Sequence, residues 1–407
     1  MAQSGSLSVS GYSLVLAFHQ TDGVGGGAAA ATSVKARFPD PAKLFMDLRT
    51  ARATKAVSAS YVKRAAAADA PITYPNLGIT LGYADAGGLK RIKSHPGIAA
   101  AYPAPLLQHI RPVRVAAAKL TQKYTWGLKR LNVPKLWAQG LTGKGVLVGH
   151  LDTGVDGKHP ALKGRIEDFA EWDFLGRKKP TASPHDSADH GTHTAATICG
   201  VAVKGQHVGV APGAKLLSGL VIEGGNTTAR ILGGLEWLVA NDVRIVSMSL
   251  GYPGYEPVFR ELVKRLISRN VLPVFAIGNE GPNTSRSPGN YPGTLAIGAV
   301  DDSDHTAAFS GSQHFKRKGD PDKPDVVAPG VDVISAKPGG GYQSMDGTSM
   351  ATPHLAGAAA LLLEAKPQAS AQQLMDVFEK SCDAITGEPA LRHGAGLIQP
   401  ERALALL

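Results

Sequence analysis

Along most of the chain, apolar residues fall in short continuous blocks rather than in alternation. From Leu128 onward such blocks recur at 146–151 (VLVGHL), 215–222 (KLLSGLVI), 243–250 (VRIVSMSL), 271–277 (VLPVFAI) and 294–300 (TLAIGAV). Helical periodicity separates some of them, at 228–240 and 256–269. Unbroken apolar strands divided by helices predict an α/β fold, a parallel sheet covered by helices on both faces. One block is different. From Gly347 to Glu364, GTSMATPHLAGAAALLLE, a polar knuckle runs into an Ala/Leu tract with no polar face, which predicts a wholly buried helix with Pro353 in its first turn.

The first hundred residues have another texture. Strands are expected at 12–18 (YSLVLAF), 77–83 and 98–102, helices at 41–63 and 88–94, and a Gly/Ala loop at 23–31. That order suits a small α+β, ferredoxin-like unit. Three prolines and an AAAK tract between Pro103 and Tyr124 read as a linker. The expected division is therefore 1–105, a linker at 106–124, and a larger domain at 125–407.

Charge changes this picture only in one place. The net charge is +10, but residues 1–120 hold 14 Lys/Arg against 5 Asp/Glu and the remainder 29 against 28. The basicity belongs to the N-terminal third, without the interleaved aromatics of a nucleic-acid surface, so no nucleic-acid partner is expected. Two cysteines, Cys199 and Cys382, exclude a disulfide framework and a multi-cysteine zinc site, and leave pairing open. No run of about 18 apolar residues predicts a membrane span. The N-terminus lacks a basic segment before an apolar one, so the chain as written reads as cytoplasmic, or as exported if a leader has been trimmed.

Four polar residues stand at the strand ends, where sites form in such sheets. Asp152 follows VLVGHL in DTG; His190 lies in DHGTHTA; Asn279 follows 271–277 in AIGNEG; Ser349 opens the buried helix. Taken singly, each has a plain structural account: a turn-capping Asp, a satisfied His, a turn-forming Asn, an N-cap Ser. Taken together, they supply what acyl transfer needs: a nucleophile, a base, an anion to orient the base, and a donor for the oxyanion.

The chain here resembles the subtilisin-like serine proteases. The resemblance is carried by LDTGVDGKHPAL, DHGTHTA, SMSLG at 247–251, AIGNEG and GTSMATPHLAG, in the family's order, and runs from about Tyr124 to the end. It implies a serine endopeptidase acting on polypeptides, with Ser349 as nucleophile, His190 as base, Asp152 fixing its tautomer, and Asn279 with the Ser349 N–H as oxyanion hole. It makes Ser247, Ser249, Leu250 and Gly251 the edge that takes an extended substrate, with Gly224 and Gly225 facing it. Ala276 and Gly278 would line the pocket for the side chain before the cut, with Glu280 near its rim. LGYADAGGLKRIKSHPGIAAAYPAP resembles the end of the family's propeptide, implying an N-terminal inhibitor and chaperone removed by self-cleavage within Val113–Thr125 and an otherwise monomeric enzyme. No cofactor is implied. The calcium-binding Asp common after His159 and Pro160 is replaced by Ala161, so no strong calcium site is expected there, and calcium elsewhere stays open.

Two rivals remain at this stage: a metal hydrolase using His190, His193 and Asp152, which lacks an HExxH motif, and an inactive relative, against which the intact set of four polar residues speaks. His150, inside an apolar strand, departs from the expected pattern and reads as a hydrogen-bonded core histidine; His354 reads as structural.

Overall fold

The apolar blocks pair edge to edge. A computed structural model of the chain describes residues 8–9, 12–20, 45, 71–105, 107–173, 176–222 and 226–407. They fall into two compact units, one of Met1–Leu107, Asp173–Arg177 and Gly224–Asn241, the other of Gln108–Trp172, Lys178–Glu223 and Asp242–Leu407.

The first unit holds β1 (Ser8–Val9), β2 (Tyr12–His19), β3 (Ile72–Tyr74), β4 (Ile79–Ala84), α1 (Ala86–Ser94) and β5 (Ile98–Pro103). Its sheet is antiparallel, in the order β1-β2-β4-β3, with β5 also paired to β2. Val15, Ala17, Phe45, Ala84, Ile92, Ile98 and Ala101 form its core. The helix Thr227–Ala240 belongs to this unit, not to the larger domain where the sequence put it. Its Glu236 carboxylate accepts from the Asn76 and Leu77 N–H groups at 2.9 and 3.0 Å, and the Tyr74 hydroxyl donates to Ala229 O at 3.1 Å. The unit is thus not the contiguous stretch 1–105. The loop expected at 23–31 and nearly all of the helix expected at 41–63 lie outside the described residues.

The second unit is built on a seven-stranded parallel sheet. Its strands are β8 (Leu147–Asp152), β9 (Ile166–Glu171), β10 (Lys215–Leu220), β11 (Ile245–Met248), β13 (Leu272–Ala276), β15 (Leu295–Val300) and β18 (Val326–Pro329), in the order β18-β15-β13-β11-β8-β10-β9. The five central strands are the five apolar blocks. The two edges were not expected, because β9 carries exposed Glu167 and Asp168 and β18 has four residues. The block at 243–250 does not stay one strand. It breaks at Ser249, and β12 (Leu250–Pro253) leaves the sheet to pair antiparallel with β14 (Arg286–Ser287) and with β6 (Gln108–His109).

The stretch 106–124 is therefore more than a linker. Beyond β6, β7 (Arg114–Ala118) pairs antiparallel with β20 (Tyr342–Asp346), which forms a hairpin with β19 (Val333–Ala336). A ribbon of β16 (Gln313–His314) and β17 (Asp322–Lys323) completes the strands.

Three helices of this unit pack on its sheet, α2 (His190–Cys199), α3 (Arg260–Ser268) and α4 (Thr348–Ala365), and α2 and α4 carry candidate site residues. Every residue of α2 is buried, and so is every residue of α4 from Thr348 to Leu363. Such helices are held by packing on all sides, and α4 lies against α2, β11, β13, β15 and β18. Pro353 sits one turn later than expected, because the helix begins at Thr348. Its missing N–H deprives Ser349 O of the usual donor four residues on, and the Ser249 hydroxyl donates to that carbonyl instead, at 3.3 Å. Among the described residues no helix is long and apolar enough to cross a membrane.

Candidate active site

Each candidate residue is delivered by the end of an element. Asp152 is the last residue of β8, His190 the first of α2, Asn279 follows β13, and Ser349 is the second residue of α4. Asp152, His190 and Ser349 are all buried, at 1%, 1% and 0% exposure.

Asp152 Oδ1 accepts from His190 Nδ1 at 2.7 Å and from the Thr153 N–H at 2.7 Å. Burial alone would push this carboxyl up, but the His190 imidazole beside it and its hydrogen bond, with His150 and His109 adding, hold it well below the usual carboxylate range. With the His190 proton on Nδ1, Nε2 offers a lone pair. That nitrogen is buried and, among the described residues, has no hydrogen-bond partner.

The close packing of β8 and α2 depends on one glycine. A Cβ on Gly191 would stand 2.0 Å from Gly154 O, so only hydrogen fits where the helix start meets the DTG turn.

Asn279 is anchored on its oxygen side. The Thr348 N–H and hydroxyl donate to Asn279 Oδ1 at 2.9 and 2.8 Å, leaving the Nδ2 amide free to point into the cleft. Gly278 N–H donates to the same Thr348 hydroxyl at 3.3 Å.

The cleft is filled by the chain itself. Gln108 and His109 lie antiparallel to Gly251 and Leu250, and the Ile110 N–H donates to Ser249 O at 3.2 Å. The Ser349 hydroxyl donates to Ile110 O at 2.8 Å, and Asn279 Nδ2 to Arg111 O at 2.8 Å. The Ile110 side chain is buried while that of Arg111 is exposed. His109 packs edge-on against the His190 ring, centroids 4.1 Å apart. Burial, and the neighbouring His190, bring the His109 imidazole down to about 3 against the pull of Asp152.

This arrangement refines several expectations. Ser249, Leu250 and Gly251 do form the edge on which an extended segment pairs. Ser247 does not: it lies inside the core sheet, opposite His150 and Val274, because the strand breaks one residue after Met248. Gly224 and Gly225 lie outside the described residues. Ala276 is the buried end of β13. Glu280 is ion-paired with Arg286, Nε to Oε1 2.9 Å, so its charge is already matched. Ala161 is packed in the apolar core. The first part of the stretch in which self-cleavage was expected, Val113–Thr125, is held as β7 (Arg114–Ala118), and the carbonyl that meets Ser349 is that of Ile110.

Nor does the geometry favour a metal centre on His190, His193 and Asp152. His193 Nε2 bonds Val333 O at 2.9 Å, away from Asp152. Among the described residues, the group with ligand atoms all within 4.8 Å is His109, Asp152 and His190, and in it Asp152 and His190 are already joined by a hydrogen bond. His354 is structural as read, its Nδ1 bonded to Met350 O at 2.8 Å. The propeptide resemblance implies a segment in the cleft; what the sequence did not disclose is that this segment is Gln108–Arg111. Its local signal was a pair of prolines, at 105 and 112, around the mixed stretch LLQHIR.

Residues 143–397 match the Subtilase family. Subtilisin E of Bacillus subtilis (strain 168) is 35% identical over 293 residues, spanning 70% of this chain and 73% of that protein. Subtilisin of Bacillus pumilus is 34% identical over 288 residues, 69% and 99% of the two chains. Subtilisin Savinase of Lederbergia lenta is 37% identical over 284 residues, again 69% and 99%.

Proposed function

The chain belongs to the subtilase family and is a serine endopeptidase acting on polypeptides; we propose that its chemistry runs on Asp152, His190, Ser349 and Asn279, and that it is made as a precursor that cuts itself between Ile110 and Arg111. The observation that carries this reading is the seating of residues 108–111 against β12, with Ile110 O on the Ser349 hydroxyl.

In the forward reaction Ser349 Oγ attacks the carbonyl carbon while its proton passes to His190 Nε2. Asp152 keeps the other ring nitrogen protonated and stabilises the imidazolium. The oxyanion takes hydrogen bonds from Asn279 Nδ2 and the Ser349 N–H at the start of α4, whose dipole adds to them. The C–N bond then breaks, the imidazolium proton goes to the leaving nitrogen, and an acyl-enzyme remains. Water, deprotonated by His190, reverses these steps and releases the acid. No metal or other cofactor is needed, and Ala161 in the core argues against calcium at the family's usual place.

The register supports Ile110 as the residue before the cut: its N–H bonds Ser249 O and its side chain is buried. A cut one residue later would make Pro112 nitrogen the leaving group. Asn279, however, holds Arg111 O, so the resting segment is gripped one carbonyl beyond the bond to be cut. Cleavage then requires the chain to shift until Ile110 O meets Asn279.

Expressed full length, the wild type should yield a fragment beginning at Arg111, and Ser349→Ala should stay intact. A new N-terminus within Val113–Thr125 would overturn the assigned bond, and an intact wild type would overturn the self-processing reading, while leaving protease activity to be judged on peptide substrates.

A further inference from the structure

Behind Asp152 lies a second buried polar chain that the mechanism above does not use. His150 stands in β8 two residues before Asp152, where its neighbours Val148 and Leu151 are fully buried in apolar surroundings. Its Nδ1 lies 3.0 Å from Ser218 Oγ and its Nε2 2.9 Å from Thr194 Oγ1. Thr194 Oγ1 in turn lies 3.2 Å from Asp152 Oδ2. Ser218 comes from β10, His150 from β8 and Thr194 from α2, and none is more than 1% exposed.

We infer that His150 and Thr194 are positioning residues for the hydrolytic reaction, a relay of donors that fixes the second carboxylate oxygen of Asp152. The inference rests on the proposed roles of Asp152 and His190.

Two features support a direction for the relay. Asp152 Oδ1 already has two donors, the His190 ring and the Thr153 N–H, whereas Oδ2 has the Thr194 hydroxyl as its hydrogen-bond donor. Moreover, the carboxylate lies 3.8 Å from His150 Nε2, and a negative charge at that distance in a dry interior favours the proton on that nitrogen. With the proton there, His150 donates to Thr194, Thr194 donates to Asp152, and the Ser218 hydroxyl donates to His150 Nδ1. The opposite tautomer would turn the Thr194 hydroxyl onto His150 and strip Oδ2 of its donor. The hydroxyl also has rival acceptors in its own helix, His190 O and Gly191 O, both at 3.2 Å. The imidazole therefore decides where that hydrogen goes.

The effect on catalysis follows from charge. A donor on Oδ2 spreads the carboxylate charge and so weakens its stabilisation of the His190 imidazolium; removing the donor strengthens that stabilisation and raises the pH at which the base is lost. The other charged or titratable groups that act on this cluster are Asp186, from the loop before α2, and the His190 and His109 rings.

The test compares pH profiles of kcat and KM for processed wild type, Thr194→Val, Thr194→Ser and His150→Phe on a peptide substrate, with Asp152→Asn alongside. Thr194→Val and His150→Phe should move the acid limb of kcat up by about half a pH unit or more and leave KM within about twofold, and Thr194→Ser should restore the wild-type limb. An unmoved limb in folded Thr194→Val overturns the relay; a fully active Asp152→Asn overturns the functional assignment beneath it. Should the variants fail to fold, nitrogen-15 NMR of the wild-type imidazoles decides: His150 should carry its proton on Nε2, and a proton on Nδ1 overturns the relay.

Discussion

Thr348 holds Asn279 by both of its donors: its N–H and its hydroxyl converge on Asn279 Oδ1 at 2.9 and 2.8 Å. The amide is thereby set before substrate arrives, which is what makes an oxyanion donor effective. In subtilisin itself, removal of the equivalent Asn costs about 10² to 10³ in kcat, and Asn279→Ala should cost a similar factor with KM little changed. Thr348→Val keeps the N–H bond and loses the hydroxyl, so its kcat should fall less, by about tenfold. Steady-state kinetics on one peptide substrate ranks the two, and equal losses would contradict the anchoring role.

Replacing the nucleophile should be far more severe. By the figure for subtilisin, Ser349→Ala loses about 10⁶ in turnover. A mild loss in hydrolysis of a chromogenic peptide would remove Ser349 from the mechanism.

Acidification should loosen the segment in the cleft. The His109 imidazole is brought down to about 3 in its seated position, against an ordinary value of about 6.5 when free. A histidine with a lowered value favours the seated state while neutral, fully above about pH 6.5, and that preference fades as pH falls from there toward 3. The groups around it are His190, Asp152, Arg111 and Arg286. In full-length Ser349→Ala, the Ile110 amide, which bonds Ser249 O in the seated segment, should therefore be less protected against hydrogen exchange at pH 5 than at pH 7.5, after correction for the intrinsic pH dependence of exchange, and His109→Phe should abolish the difference.

Gly191→Ala forces a methyl carbon to within 2.0 Å of Gly154 O. Backbone must move on one side, pulling His190 from Asp152. Activity should fall by at least about 100-fold and the melting temperature by several degrees, measured by peptide hydrolysis and calorimetry.

Thiol reagents should leave the enzyme active. Cys199 and Cys382 are free, and burial pushes both thiols up to about 12, so almost no thiolate exists at neutral pH. Iodoacetamide at pH 7.5 should neither alkylate Cys199 in the folded protein, by intact mass, nor reduce hydrolysis.

Much of the larger unit could be read from sequence because its central strands are buried on both faces. Each is a continuous apolar run, and Asp152 and Asn279 sit just beyond the ends of such runs, after VLVGHL and VLPVFAI. The edges of that logic mark what escaped it. Strand β9, IEDFAE, mixes charged with apolar residues, and Ser247 and Leu250 look like one strand until Ser249 turns the chain out of the sheet. The helix at 227–240 reads as part of the larger domain, because sequence order does not say that Glu236 will receive the N–H groups of Asn76 and Leu77. Nothing local in QHIRPV announces a segment lying in the cleft, since its pairing partners at Leu250 and Gly251 are some 140 residues away.

The strand β7 is paired with β20, which leads directly into Gly347 and Ser349. A cut after Ile110 would thus leave the fresh amine of Arg111 tethered by a few residues beside the acyl-enzyme it has just vacated. At such close quarters the local concentration of amine is high, and resealing of the peptide bond competes with water. Commitment to a mature form would then be governed less by the speed of cutting than by which strand end departs first, β6 from β12 or β7 from β20.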